Sequence, residues 1–169
     1  MAIGNALVKL GEVTDELIQL VSFNLNGEEY GIEVLKVREI IRLPSLTKTP
    51  NTAHFIEGII NLRGKVIPII SLRKRFNLPE LEQDSQTRII IMDVGSNLVG
   101  FIVDSVAEVI RLRSSEIQPP PAIILSGSGT VGQEYITGVY NHGERLLIIM
   151  DVDHMFSDED RSGIVAAFE

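Results

Sequence analysis

The sequence repeats itself, and this duplication restricts the possible folds more than any other feature. The segment Gly31 to Leu43 returns 69 positions later as Gly100 to Leu112, with seven of thirteen residues identical. A second pair, Phe55 to Asn61 and Tyr135 to Asn141, is separated by 80 positions. Repetition of this kind is typical of a supersecondary unit used twice. We therefore expect two similar lobes with a groove between them, a shape suited to binding a partner.

The 169 residues fit one domain of the usual size. A lobe of half this length would bury little apolar surface, so we expect the two lobes to share apolar contact and to fold together. The chain has no cysteine, which excludes disulfides, thiol nucleophiles and thiolate zinc sites. No segment approaches the roughly 20 apolar residues that span a bilayer, and the first twenty residues lack a secretory signal pattern. These features predict a soluble cytoplasmic protein.

The net charge of −8 is unevenly distributed along the chain. Residues 31–75 carry nine basic and three acidic side chains, a net charge of +6, which leaves −14 for the remainder. An acidic remainder of this size is poorly suited to binding nucleic acid. The charges either keep the two lobes soluble or allow the basic first lobe to bind an acidic protein, and the pattern leaves both interpretations open.

Four hairpins are predicted from apolar runs that flank turn sequences. The turn sequences are Asn26-Gly27, Asn61-Leu62-Arg63-Gly64, Gly95-Ser96-Asn97 and Asn141-His142-Gly143-Glu144. The two strands Ile89 to Val94 and Leu98 to Val103, on either side of the third turn, are almost continuously apolar, which predicts burial on both faces. Pro68 cannot donate to a strand ladder, so we predict that its strand lies at the edge of a sheet.

Apolar residues spaced three and four apart follow the first hairpin of each copy. They are Val34, Val37 and Ile41 in the first copy, and Val103, Val106 and Ile110 in the second. This spacing predicts one short helical turn in each lobe. Because most of the chain reads as short strands with repeated turns, the predicted fold class is all-β, with two small antiparallel barrels side by side.

The predicted domain organisation has three parts. They are a flexible N-terminus over 1–15, a two-lobed domain over 16–157, and an acidic tail over 158–169. The lobes are placed at approximately 16–82 and 86–157, with strands free to cross between them. Ser126 to Gly132 is expected to be a mobile loop, and a short helix is expected near the C-terminus.

Groups that could perform catalysis are sparse. The histidines His54, His142 and His154 have no metal-ligand spacing with one another, so no metal site is expected. Gly127 to Gly132 fits the pattern G-x-G-x-x-G, but it precedes a hairpin, so a loop is favoured over a dinucleotide site. No G-x-S-x-G motif is present. We therefore expect neither an enzyme nor a cofactor.

Arg63 is the polar residue that most favours a binding role. It lies between Leu62 and Gly64 at a predicted hairpin tip, where an ordinary solvated turn residue is the simpler interpretation. Glu39 on the preceding unit favours the binding role. A planar guanidinium can hold that carboxylate and present its remaining donors to a partner.

These segments resemble the chemotaxis coupling protein family CheW over nearly the whole chain. The segments that carry the resemblance are Val21 to Ile32, Glu33 to Ile40, Phe55 to Arg73, Gly100 to Val106, and Gly138. The pattern N-L-R-G-x-x-x-P-I-I, which begins at Asn61, is quite specific to this family. One departure is Ser71, where members usually carry Asp, although the second copy keeps Asp151.

The resemblance implies a non-enzymatic adaptor with two SH3-like five-stranded barrels and no cofactor. Its implied partners are the cytoplasmic tip of a methyl-accepting chemoreceptor, lying in the groove, and the regulatory domain of the histidine kinase CheA, meeting the second lobe. The implied location is the cytoplasm, at receptor arrays beneath the inner membrane, without insertion into the membrane. The positions that the family uses for receptor or kinase coupling are Val37, Glu39, Gly58, Arg63, Gly64, Gly100 and Val106.

Three alternatives remain open from the sequence. The first is a coupling protein of a non-chemotaxis chemosensory array, which would have the same fold. The second is a double barrel that uses its groove to bind or convert a small molecule. The third is a structural homodimer joined through exposed strand edges such as that of Val66 to Leu72.

Overall fold

The described residues form two five-stranded sheets. A computed structural model describes residues 15–50, 52–120 and 135–155. The strands are, in chain order, β1 Leu17–Leu25, β2 Glu28–Glu33, β3 Val37–Arg42, β4 Ile56–Leu62, β5 Lys65–Ser71, β6 Arg88–Val94, β7 Asn97–Val103, β8 Ser105–Arg113, β9 Ile136–His142 and β10 Arg145–Met150. A one-turn helix, α1, spans Leu72–Arg75, and 3₁₀ turns span Val34–Lys36, Ser114–Glu116 and Val152–His154.

Each copy of the repeat supplies strands to both sheets. Sheet A has the order β8-β1-β2-β10-β9, and sheet B has the order β3-β6-β7-β5-β4. The β1–β2 hairpin of the first copy therefore lies with the last three strands, and the β6–β7 hairpin lies with β3, β4 and β5. The predicted lobes at 16–82 and 86–157 follow the two copies along the chain, whereas each sheet combines strands from both. The prediction of two five-stranded lobes is confirmed.

Each sheet curls toward a barrel through a short bridge between its two edges. In sheet B, Thr47 lies beyond β3 and exchanges backbone hydrogen bonds of 3.0 and 2.8 Å with Ile59 on β4. In sheet A, Gln118 lies beyond β8 and exchanges two bonds of 2.9 Å with Val139 on β9. The equivalent placement of these bridges means that both barrels close in the same way.

Among the described residues, the apolar core has three parts. One cluster lies within sheet A around Leu20 and Leu147, and another lies within sheet B around Ile67 and Ile89. The largest cluster, which we call the central cluster, combines residues of both sheets, including Phe23 from β1, Ile90 from β6 and Phe101 from β7. Successive residues of β6 point alternately into sheet B and into the central cluster, so both faces of the strand are buried, as its apolar run predicted.

A row of aromatic rings crosses the central cluster. Phe23 and Tyr30 stack with ring centroids 5.7 Å apart, Tyr30 lies 6.3 Å from Phe76, and Phe76 stacks on Tyr135 at 4.9 Å. Burial, with smaller contributions from the charges of Tyr135 and Glu28, raises the pKa of Tyr30 to about 12. The neutral phenol is therefore strongly favoured in the folded protein.

We expect the protein to lose stability in alkaline solution through Tyr30. An unfolded tyrosine ionises near pH 10, so the contribution of the neutral phenol is complete below about pH 10 and is lost as the pH rises toward 12. Ultraviolet absorbance should record Tyr30 as a late-ionising tyrosine, and Tyr30→Phe should remove that step. Ionisation of every tyrosine at about pH 10 without unfolding would contradict this prediction.

An ion pair links the two barrels beside the central cluster. Arg73 on α1 donates to both carboxylate oxygens of Asp104, at 2.9 and 2.6 Å, and Asp104 also accepts from the backbone amide of Asn26 at 2.8 Å. Burial opposes the ionisation of Asp104, but the hydrogen bonds from Arg73 and Asn26 outweigh it and lower the pKa of the carboxyl group. The β1–β2 turn of sheet A is thereby held close to α1, which follows β5 of sheet B.

The prediction of helical turns from the apolar spacing is mostly wrong. Val34–Lys36 is a 3₁₀ turn, but Val37 begins β3 and Val106 and Ile110 lie within β8. Both strands contain a β-bulge, an extra residue opposite the partner strand. A bulge converts the strand period of two into a local spacing of three or four, which imitates a helix.

The prediction that Pro68 marks an edge strand is also wrong. Its strand, β5, lies between β4 and β7 in sheet B. Pro68 is paired with Ile59 on β4, whereas the parallel ladder with β7 begins one residue later, at Ile69. The missing amide proton therefore falls where no bond to β7 is required. The predicted loop at Ser126 to Gly132, the N-terminus before Asp15 and all of the predicted C-terminal helix and tail beyond Met155 lie outside the described residues.

Candidate functional site

Arg63 occupies a strained turn that directs it outward. The β4–β5 hairpin turns at Arg63 and Gly64, which have φ angles of 51° and 86°. Positive φ at both central residues is the geometry of the tightest hairpin turns. The side-chain oxygen of Asn61 accepts from the amide of Gly64 at 2.9 Å, which fixes the turn. Arg63 is 69% exposed at this tip.

Glu39 holds the guanidinium group of Arg63. Both terminal nitrogens of Arg63 donate to the carboxylate of Glu39 on β3, with Nη1 and Oε2 separated by 3.3 Å. This hydrogen bonding holds the pKa of Glu39 below its ordinary value and raises that of Arg63. Both groups are therefore charged at neutral pH. The predicted contact is present, and it orients an exposed guanidinium whose other donors face outward.

Two of the predicted residues contact the central cluster, where the sheets meet. Glu39 is two residues from Val37, which is half-buried against the central cluster. Val106 on β8 packs against the same cluster from the other sheet. The structure therefore brings Glu39, Arg63 and Gly64 together at the tip, whereas Val37 and Val106 pack against the central cluster from opposite sheets.

Gly58 on β4 and Gly100 on β7 are both buried within sheet B. A Cβ atom on Gly58 would lie 2.5 Å from the backbone oxygen of Thr47. A Cβ atom on Gly100 would lie 2.6 Å from Ile69 and 2.8 Å from Ile89, inside sheet B. These two glycines permit close approach of other groups, and neither presents a side chain to a partner. The binding roles of all seven residues remain predictions.

Two cavities adjoin the connection between the sheets. One, of about 220 Å³, lies between them and is lined by residues such as Ile32, Met92 and Val152. The other, of about 280 Å³, lies beside the 3₁₀ turn Val34–Lys36, in which Leu35 is 92% exposed. Leu35 is an apolar surface residue that the sequence analysis missed. The sequence did indicate this exposure, because Leu35 lies between Val34 and Val37 but does not share their apolar spacing.

Metal-ligand clusters and membrane-crossing helices were sought among the described residues. Within residues 15–50, 52–120 and 135–155, no three histidine or acidic side chains are arranged to hold a metal ion. No described helix has the length and apolar character required to cross a membrane.

Comparisons with known proteins agree on one family. The family model for the CheW-like domain matches residues 19–160. Chemotaxis protein CheW of Klebsiella aerogenes is 39% identical over 142 residues, 84% of this chain and 83% of that protein. Chemotaxis protein CheW of Treponema pallidum is 38% identical over 152 residues, 88% and 87% of the two chains. The crystal structure of scaffolding protein TtCheW from Thermoanaerobacter tengcongensis matches with a TM-score of 0.75 and 36% identity, covering 86% of this chain and 91% of that one.

Proposed function

The chain belongs to the CheW-like domain family, and we propose that it acts as a non-enzymatic coupling scaffold in chemotaxis. In this proposal it joins the cytoplasmic tips of chemoreceptors to the regulatory domain of the kinase CheA, within receptor arrays at the inner membrane. The names of the similar proteins, which include chemotaxis and scaffolding, support this role.

The observation that carries the proposal is the pair of Arg63 and Glu39. An exposed arginine normally loses side-chain entropy when it binds a partner. Here Glu39 already holds the guanidinium in one orientation, at a turn fixed by Asn61. A preorganised, exposed arginine is the arrangement expected of an interface anchor.

Apolar residues where the two sheets meet favour a helical partner. Val37 and Val106, from opposite sheets, are half-buried against the central cluster, and Leu35 is exposed on the 3₁₀ turn that joins β2 to β3. An amphipathic receptor helix would place its apolar face along this surface, in the manner of helices that bind in grooves. Arg63 would then set the register of the helix by donating to a carboxylate or carbonyl at the rim.

We expect Arg63→Ala to weaken binding of a receptor cytoplasmic fragment by about tenfold or more, as is typical of an arginine anchor. Because the side chain is exposed at a hairpin tip, the denaturant midpoint should stay unchanged. Binding would be measured by calorimetry. Arg111→Ala is a matched control, since Arg111 is an exposed arginine on β8 of the other sheet.

Two outcomes would count against this proposal. Equal receptor affinity of wild type and Arg63→Ala would remove Arg63 from the interface. A reconstituted mixture of receptor and kinase whose activity does not depend on this protein would remove the coupling function itself.

A further inference from the structure

The duplication places a second hairpin tip on sheet A, equivalent to the tip of Arg63 on sheet B. The turn of Arg63 and Gly64 corresponds, 80 positions later, to the β9–β10 turn at Gly143 and Glu144. Glu39 on β3 corresponds to Glu108 on β8, 69 positions later. Equivalent strands therefore position equivalent side chains on both barrels.

The second tip reverses the balance of charge. Arg145 is the cation, and its terminal nitrogens lie 3.6 Å from Glu108 and 3.6 Å from Glu29. His142 lies 3.8 Å from Glu108 and carries charge only when protonated. One guanidinium thus faces two carboxylates, at distances too long for a hydrogen bond to either. Glu144 adds a further exposed carboxylate at the turn itself.

Glu29 provides an independent observation. Its side chain is only 7% exposed, and neither carboxylate oxygen has a hydrogen-bond partner among the residues that the structure describes. Sheet B carries Leu98 at the equivalent position, so sheet A has an acid where its counterpart has an apolar side chain. A buried carboxylate without donors is costly unless another group supplies them. The cluster therefore has unused capacity to accept hydrogen bonds from a cation.

We propose that this second tip binds an arginine or lysine side chain of a partner protein. Glu108, which is 51% exposed, is the first acceptor. Arg145 can turn toward Glu29 when the incoming cation takes its place beside Glu108, so that each carboxylate gains a cation of its own. The protein then offers a cationic tip on one barrel and an anionic tip on the other, which gives its two faces different partner preferences. This assignment rests on the proposed function and adds the chemistry of a second contact.

The first test is charge reversal in the full chain. Glu108→Lys should weaken binding of a receptor fragment or of the kinase regulatory domain at least tenfold, and Glu108→Gln should weaken the same partner less. Glu82→Lys makes the same change in net charge at an exposed position in the segment before sheet B's β6 and should have no effect. If Glu108→Lys bound both partners as tightly as wild type does, the second tip would not be a binding site. The proposed function would be unaffected by that result.

The second test needs neither partner. Millimolar capped arginine, titrated into the wild-type chain, should shift the backbone NMR signals of Glu29, Glu108 and Arg145, and these shifts should be absent in Glu108→Lys. Capped glutamate is the matched probe of opposite charge. If wild type bound neither partner, the proposed function would fail. The arginine titration would still show whether the second tip binds a cationic side chain. Absence of shifts with capped arginine would overturn the inference.

Discussion

Replacing Phe101 by alanine should lower the free energy of unfolding by about 3–5 kcal/mol, the usual range for a fully buried phenylalanine. Phe101 is 1% exposed and lies in the central cluster, where residues of both sheets meet. Its strand, β7, is paired with β6 on one side and β5 on the other. Because these ladders prevent the backbone from closing over the vacated space, most of the cavity should remain.

The same substitution tests whether the barrels fold together. Urea unfolding, followed by circular dichroism and by tyrosine fluorescence, should give one shared transition at a lower midpoint. Leu146→Ala is the control, since that leucine is 44% exposed and its loss should change little. A curve with two steps, or a loss below about 1 kcal/mol, would mean that the sheets do not depend on the central cluster.

Local features of the chain were the most predictable part of the fold. The Asn26-Gly27 turn joins β1 to β2, and both residues have positive φ, at 54° and 81°. Such a turn is encoded within two residues, so a dipeptide is enough to predict it. The β4–β5 turn at Arg63 and Gly64 follows the same rule, which is why the sequence located the tip correctly.

The exchange of hairpins between sheets could not be derived from the repeat. Pairing of Tyr30 with Ile148, or of Ile70 with Phe101, joins residues of different copies. Apolar patterning states that a strand is buried but not which strand lies beside it. Two copies of one unit are equally compatible with separate lobes and with exchanged hairpins.

The candidate site was only partly predictable from the sequence. The contact between Arg63 and Glu39 was expected because opposite charges lay on neighbouring units of the sequence. Glu29 was missed, because acidic residues are seldom buried and nothing in its neighbours indicates burial. Comparison of the two copies does contain a signal, because Glu29 in the first copy corresponds to the apolar Leu98 in the second.

Replacing Gly58 by alanine should destabilise the protein by about 3 kcal/mol, through overpacking and the loss of backbone hydrogen bonds. The new methyl group would lie 2.5 Å from the backbone oxygen of Thr47, which cannot move away as a side chain would. That oxygen accepts from the amide of Ile59 at 2.8 Å. The substitution therefore disrupts the bridge that closes the barrel of sheet B, and the denaturant midpoint should fall accordingly.

Gly64→Ala is the matched control for this change. Gly64 has a φ of 86°, but apart from its chain neighbours no described residue has an atom within 4 Å of an added Cβ, so only the backbone strain remains, at about 1 kcal/mol. Under conditions where the Gly58→Ala variant is still folded, Gly58→Ala should bind the receptor fragment as tightly as wild type does. A variant that is fully stable yet unable to bind receptor would place Gly58 in the interface. Normal affinity with reduced stability would instead assign it to the packing on which the tip of Arg63 depends.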